Sequence, residues 1–168
     1  MLVFPAQRFW LALVIIWASL ACMLGAAALA SHTEEHPRGP WWQWLPLSLH
    51  AGWVSLAAFV NTAQVIVAHE LLSTTRMLPW TLVLYAGAGV LLLASVLRLR
   101  GNPWYTLAAV WGLLGVYAKQ VHSPLLGAGV SATVALCLAV LVTAAALATG
   151  MRARRSVSSS RLRRESAQ

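Results

Sequence analysis

Charge is scarce in this 168-residue sequence. Only 10% of it is Asp, Glu, Lys or Arg, where a soluble domain carries about 25%. Acid is scarcest: Glu34, Glu35, Glu70 and Glu165 are the only carboxylate side chains, and all lie outside the apolar runs. Proton-coupled transport and intramembrane hydrolysis usually need an ionisable group at depth, so both are disfavoured. Cysteine is nearly absent. Cys22 and Cys137, each within an apolar run, make neither a disulfide framework nor a metal site and read as small buried packing residues. No nucleophile–base pair and no phosphate-binding loop is visible, so nothing indicates an enzyme. A basic folded surface is missing too. Net charge is +8, but six of the twelve basic residues follow Gly150, which describes a tail facing anionic lipid rather than a nucleic-acid surface.

What the sequence has is hydrocarbon and tryptophan. Hydrophobic residues make up 60% of the chain and come in blocks, not in alternation, which marks an integral membrane protein. The blocks predict an all-α membrane protein, a five-transmembrane-helix bundle. Its helices run over about 9–30, 46–69, 79–97, 104–118 and 124–150, and a basic disordered tail follows over 151–168. A cleaved secretory signal competes for the first segment, with Arg8, an apolar core and Ala28-Leu29-Ala30 as a cleavage site. That core is long for a signal and contains Trp10 and Trp17. The charge count also favours a retained helix. Five crossings put Arg38, Arg98, Arg100 and the six tail arginines on one side, and Arg8, Arg76 and Lys119 on the other. The positive-inside rule then places the N-terminus outside and the C-terminus in the cytoplasm of a bacterial inner membrane. The partner of such a chain is the lipid bilayer. Stripes of small residues, Ala18, Cys22, Ala26 and Ala30, then Gly127, Ser131, Ala135, Ala139 and Thr143, predict close helix approach, within the chain or in a homodimer.

The second segment is the most informative. At about 100° per residue, His50, Trp53, Ala57, Asn61, Gln64 and Ala68 share one face of a helix. An amide in hydrocarbon is costly without a partner, so this face is expected to point at other helices or at a bound molecule. Trp17, Trp53 and Trp111 sit inside helices, where their indole N–H groups also need partners. One reading is plain interhelical hydrogen bonding, as in a structural or assembly subunit. The sharper reading is a ligand site of His50, Trp53, Asn61 and Gln64, with Trp111 as the facing wall beside Gly112 and Gly115.

Two metal-centred patterns compete. His32-Thr-Glu-Glu-His36 fits H-x-x-E-H, but Pro37, Gly39 and Pro40 argue against the helix that motif requires. His69 and His122 fall at one membrane face and offer a b-type haem pair, each at a helix end; His50 lies too far from His69 to join them.

Two longer stretches carry a family likeness. Pro46-Leu-Ser-Leu-His-Ala-Gly-Trp53-Val-Ser-Leu-Ala-Ala-Phe-Val-Asn61 is similar to the P-F-S-L-Y-x-G-W-I-x-x-A-x-x-x-N segment of bacterial tryptophan-rich sensory proteins. Asn102-Pro-Trp-Tyr-Thr-Leu-Ala-Ala-Val-Trp111-Gly-Leu-Leu-Gly115-Val-Tyr-Ala-Lys119 resembles a later segment of the same proteins. With nine tryptophans in all, the chain resembles the TspO/MBR family of tryptophan-rich sensory or translocator proteins over about residues 45–145. His50 stands where that pattern has Tyr, and Asn102 where it often has Asp. The resemblance implies five membrane helices and a tryptophan-lined site for an amphipathic ligand. A porphyrin or haem-related tetrapyrrole, or a sterol-like lipid, is the implied occupant, and sensing or regulation the implied role.

Overall fold

The computed structural model describes residues 7–32, 41–73 and 76–165, with side chains over 9–29, 45–73 and 76–152. The described chain is all helix: α1 Gln7–His32, α2 Trp41–Ala68, α3 Met77–Arg98, α4 Pro103–Val121 and α5 Ala128–Glu165. Short turns reverse the chain after α2, α3 and α4, so these helices alternate in direction. α2, α4, α5 and α3 form a closed ring of neighbours, and α1 packs on the outside of α2. The expected five-helix bundle is present. Four of its helices are long and apolar enough to span a bilayer: Phe9–Leu29, Leu45–Ala68, Met77–Arg98 and Ala128–Arg152. α4 is the exception, because Trp104, Tyr105, Tyr117, Lys119 and Gln120 dilute its hydrocarbon.

Three boundaries differ from expectation. α2 begins at Trp41 rather than Pro46, so Pro46 lies inside a helix, where its missing N–H leaves one carbonyl of the preceding turn unbonded. α5 begins at Ala128 rather than Pro124. Gly127 holds φ at +87°, and the Ala128 N–H donates to the Leu125 carbonyl at 3.1 Å, which makes a turn before the helix. At its other end α5 continues through Glu165 instead of giving way to a structureless tail at Gly150. Extending a formed helix avoids the nucleation step, and arginine is a good helix former.

Helix ends are satisfied locally. After α3, the Gly101 N–H donates to the Val96 carbonyl at 2.9 Å, with Arg100 at φ +52° and Gly101 at φ +71°. Gly101 is required twice over, since a Cβ there would also lie 2.6 Å from the Ala146 carbonyl oxygen of α5. Asn102 caps α4: its side-chain oxygen accepts the Trp104 N–H at 2.9 Å, and Pro103 takes the first helical position.

Packing relies on small residues, as expected of helices in lipid, where hydrocarbon alone drives no association. On α5 the buried positions are Ala128, Ala132, Ala135, Ala139, Val142 and Ala146, alternating four and three residues apart. Ser131, also in the expected stripe, is buried, while Thr143 is exposed and bonds back to the Ala139 carbonyl at 2.8 Å. On α1 the expected stripe faces outward. Ala18, Cys22 and Ala26 are exposed, and Leu20 and Ala27 are the buried residues. Cys137 is exposed as well, so neither cysteine is a core residue. An apolar run does not require burial in protein when the solvent is lipid.

The tightest crossing is between α2 and α4. A Cβ on Gly52 would lie 2.5 Å from the Tyr105 carbonyl oxygen and 3.0 Å from the Ala108 Cβ. One turn along, a Cβ on Gly112 would lie 2.5 Å from Leu56 Cδ1. Gly52→Ala is therefore expected to destabilise the bundle by about 1–3 kcal/mol. Gly115→Ala, with nothing within 4 Å of its Cβ, is expected to change stability by less than about 0.5 kcal/mol. Unfolding in mixed detergent and dodecyl sulfate reads both, and equal midpoints would mean that the two helices do not touch at Gly52.

Candidate functional site

The geometry of the α2–α4 crossing creates a site on its outer side. Contact at Gly52 and Ala108 brings the backbones together, and the bulky side chains on either flank stand apart. Pro46, Leu49, His50 and Trp53 on α2 face Leu107, Ala108 and Trp111 on α4 across a groove of about 790 Å³. The α2 residues recur three and four apart and so share one face. Ala108 is buried and forms the floor, while Trp53 and Trp111 are 51% and 69% exposed and form the rims. The groove is mainly apolar, with the His50 imidazole and the indole N–H groups as its polar atoms, and it opens on the flank of the bundle.

Three of the five residues expected to form the site are thus brought together: His50, Trp53 and Trp111. Asn61 and Gln64 do not line the groove. Asn61 lies two turns beyond Trp53 and donates its Nδ2 to the Ala57 carbonyl of its own helix at 2.9 Å, and Gln64 is exposed. The polar stripe of α2 therefore lies at the edge of the bundle and not in an interior seam. The residues that α2 turns inward are Ser48, Ala51, Gly52, Val54, Ser55, Leu56, Ala58 and Val65. Side-chain size decides this, because only small residues let a second backbone approach. An amide can stay outside by bonding back to its own helix.

The buried polar contacts lie elsewhere and were missed by the sequence reading. The Ser55 hydroxyl donates to the Ala51 carbonyl at 2.7 Å and sits 2.9 Å from the Tyr105 hydroxyl. Ser95 of α3 is buried near the same hydroxyl, where α2, α3 and α4 meet. Asn102 Nδ2 donates to the Ser48 hydroxyl at 2.8 Å, which fixes the start of α4 to α2. Ser48, Gly52 and Ser55 recur four and three apart, and that small-residue spacing was the available signal.

Of the three interior tryptophans, only Trp17 has the indole partner expected of it, donating to Thr62 Oγ1 of α2 at 3.2 Å. The face Trp104, Trp111, Gly115, Ala118 and His122 is a single side of α4, and it is exposed. His69 packs against Trp10 with ring centroids 5.4 Å apart, and His122 Nδ1 is 2.8 Å from the Ala118 carbonyl oxygen. Among the described residues, no three His, Cys, Asp or Glu side chains gather to hold a metal ion. Of the pattern His32-Thr-Glu-Glu-His36, only the backbone of His32 is described, at the end of α1; the rest lies outside the described residues.

Comparison with curated proteins and with solved structures finds no match. The family described as TSPO-like protein, in contrast, matches residues 1–148, which take in α1 to α4 and most of α5. The match runs well beyond the two tryptophan-bearing segments that carry the TspO/MBR likeness. Together with four helices fit to span a bilayer, it makes the chain an integral membrane protein that belongs to the TSPO-like protein family.

Proposed function

We propose that the α2–α4 groove binds a flat, amphipathic molecule of the tetrapyrrole class on the lipid-facing flank of the bundle. The observation that carries this reading is the convergence of Trp53, His50 and Trp111 on one apolar groove from helices far apart in the chain. Indoles on the two rims offer stacking faces and N–H donors, and His50 offers an imidazole. Depth suits an amphipathic guest. The apolar part of α2 begins at Leu45, so His50 lies about 7.5 Å along the helix from its edge. A macrocycle there keeps acidic substituents near the headgroups while its rings stay in hydrocarbon. Occupancy would be the signal of a sensory or translocator-like protein.

The rival reading, an assembly subunit whose polar residues only hold helices together, is less well supported. That task falls to Ser48, Ser55, Asn102 and Tyr105, and none of them lines the groove. We further propose a bacterial inner-membrane topology with the C-terminus in the cytoplasm. Gly101 packs against α5 near Ala146 and Thr149, so Arg98 and Arg100 share one end of the bundle with the arginine-rich end of α5. The exposed Ala18, Cys22 and Ala26 of α1 would leave a face for a homodimer.

Protoporphyrin titrated into the purified protein is expected to quench tryptophan fluorescence saturably. Trp53→Ala and Trp111→Ala should each weaken binding by about tenfold, the loss of about 1.4 kcal/mol of stacking. Asn61→Leu should bind like wild type. Quenching that is unchanged in both tryptophan variants would remove the groove from consideration. For topology, a reporter enzyme active only in the periplasm should be silent when fused after Gln168, and activity there would reverse the proposed orientation.

A further inference from the structure

Where α3 stops and α4 starts, the bundle gathers positive charge that no described residue there balances. Two spans end on arginine at this edge, Met77–Arg98 on α3 and Ala128–Arg152 on α5, and Arg100 follows in the turn. The turn is fixed. Leu99 is buried, the Gly101 N–H bonds to the Val96 carbonyl, and Gly101 lies against Ala146, Thr149 and Gly150 of α5. Arg100 adjoins Gly101 and Arg152 follows closely on Gly150, so the two side chains start from neighbouring backbone. Arg98, Arg100 and Arg152 are all exposed, and among the described residues no guanidinium of the three has a carboxylate or a hydrogen-bond partner. The only acidic side chain described, Glu70, follows α2 at the opposite end. The polar neighbours are already engaged: Asn102 bonds to Ser48 and to the start of α4, and Thr149 bonds back to the Ala145 carbonyl.

Like charges held at one edge repel unless an anion lies between them. Depth decides which anion. Leu97 beside Arg98 and Met151 beside Arg152 are 58% and 56% exposed, so hydrocarbon reaches up to both arginines. Phospholipid phosphates stand just outside that hydrocarbon, within reach of arginines whose stems lie along an apolar surface. A guanidinium fork matches phosphate oxygens in pairs. A zwitterionic phospholipid carries its own cation beside the phosphate, and an anionic one leaves that place to the protein. We propose that the α3–α4 turn and the end of the α5 span form a site for an anionic phospholipid, its phosphate held by Arg98, Arg100 and Arg152. The site is separate from the α2–α4 groove and does not depend on what occupies the groove. Arg161, Arg163 and Arg164 lie about 14–18 Å further along α5 and take no part.

The test uses the full chain in nanodiscs of equal phosphatidylglycerol and phosphatidylcholine. The protein is released into detergent, and native mass spectrometry counts the phospholipid that stays bound. Wild type is expected to retain phosphatidylglycerol over phosphatidylcholine by about tenfold or more, with or without added inorganic phosphate. Arg98→Gln, Arg100→Gln and Arg152→Gln should each lower the preference about fivefold, and the triple variant should abolish it. The three arginines are exposed and the turn is held by Leu99, Gly101 and Asn102, so the triple variant should keep its helix content by circular dichroism. A chain with Arg161, Arg163 and Arg164 changed to Gln should match wild type, as should Arg76→Gln and Lys119→Gln at the opposite end. A preference that survives in the triple variant, or that is lost with the distal arginines, overturns the site. Displacement of the lipid by inorganic phosphate would assign these arginines to a soluble anion and overturn it too. Equal retention of the two lipids by wild type overturns it whatever the variants do.

Discussion

The contact between α2 and α4 sets the rest of the structure. In a bilayer, lipid tails compete equally for apolar side chains, so helices associate through close packing and interhelical hydrogen bonds. Gly52 supplies the first by letting the Tyr105 carbonyl come against its Cα, and Ser48 and Ser55 supply the second through Asn102 and Tyr105. The same closeness shapes the outer surface. Two helices that touch at glycine and alanine must hold their larger side chains apart on each flank. On one flank those side chains are Trp53 and Trp111, and the groove is the space between them.

α4 shows why a helix can sit in the middle of this bundle without being the most apolar. It contacts α2, α5 and α3, and its start is tied to α2 by hydrogen bonds. Near its start, the Tyr105 hydroxyl pairs with Ser55 of α2, with Ser95 of α3 buried nearby. Near its end, Gln120 lies close to Tyr85 of α3 and Ser131 of α5. Polar groups that would be expensive against lipid are thus spent between helices. α4 depends on its neighbours for its place in the membrane in a way that α3 and α5 do not.

Much of this was legible in the residues, and the failures share one cause. Helix number and approximate position followed from the apolar blocks, and the pairing of Trp53 and His50 with Trp111 followed from helical spacing and the two tryptophan-bearing motifs. The facing of each helix did not follow. In water, a polar stripe marks the outside and an apolar one the inside. In lipid that guide is lost, because Val83, Val90 and Val140 are as content outside as Leu92 is inside. The expectation that Asn61 and Gln64 turn inward treated an amide as something only a neighbouring helix can satisfy, when the Ala57 carbonyl on the same helix serves. The better guide was size. Ser48, Gly52 and Ser55 on α2, and the alanines of α5, mark the buried faces by being small.

Placing the site on the flank changes what binding would mean. The centre of the ring is filled by Leu92, Val96, Tyr105, Leu113 and Val142, all fully buried or nearly so. A guest in the α2–α4 groove would therefore border lipid on one side and protein on the other. It would reach the groove sideways, through the bilayer, and the concentration that governs occupancy would be its concentration in the membrane. Hydrophobic transfer would then contribute little to binding, since the guest has already left water. What remains to discriminate one guest from another is directional: the faces of two indoles and the lone pair of one imidazole. A groove with so few polar groups can still be selective, because in hydrocarbon each of them acts without competition from solvent.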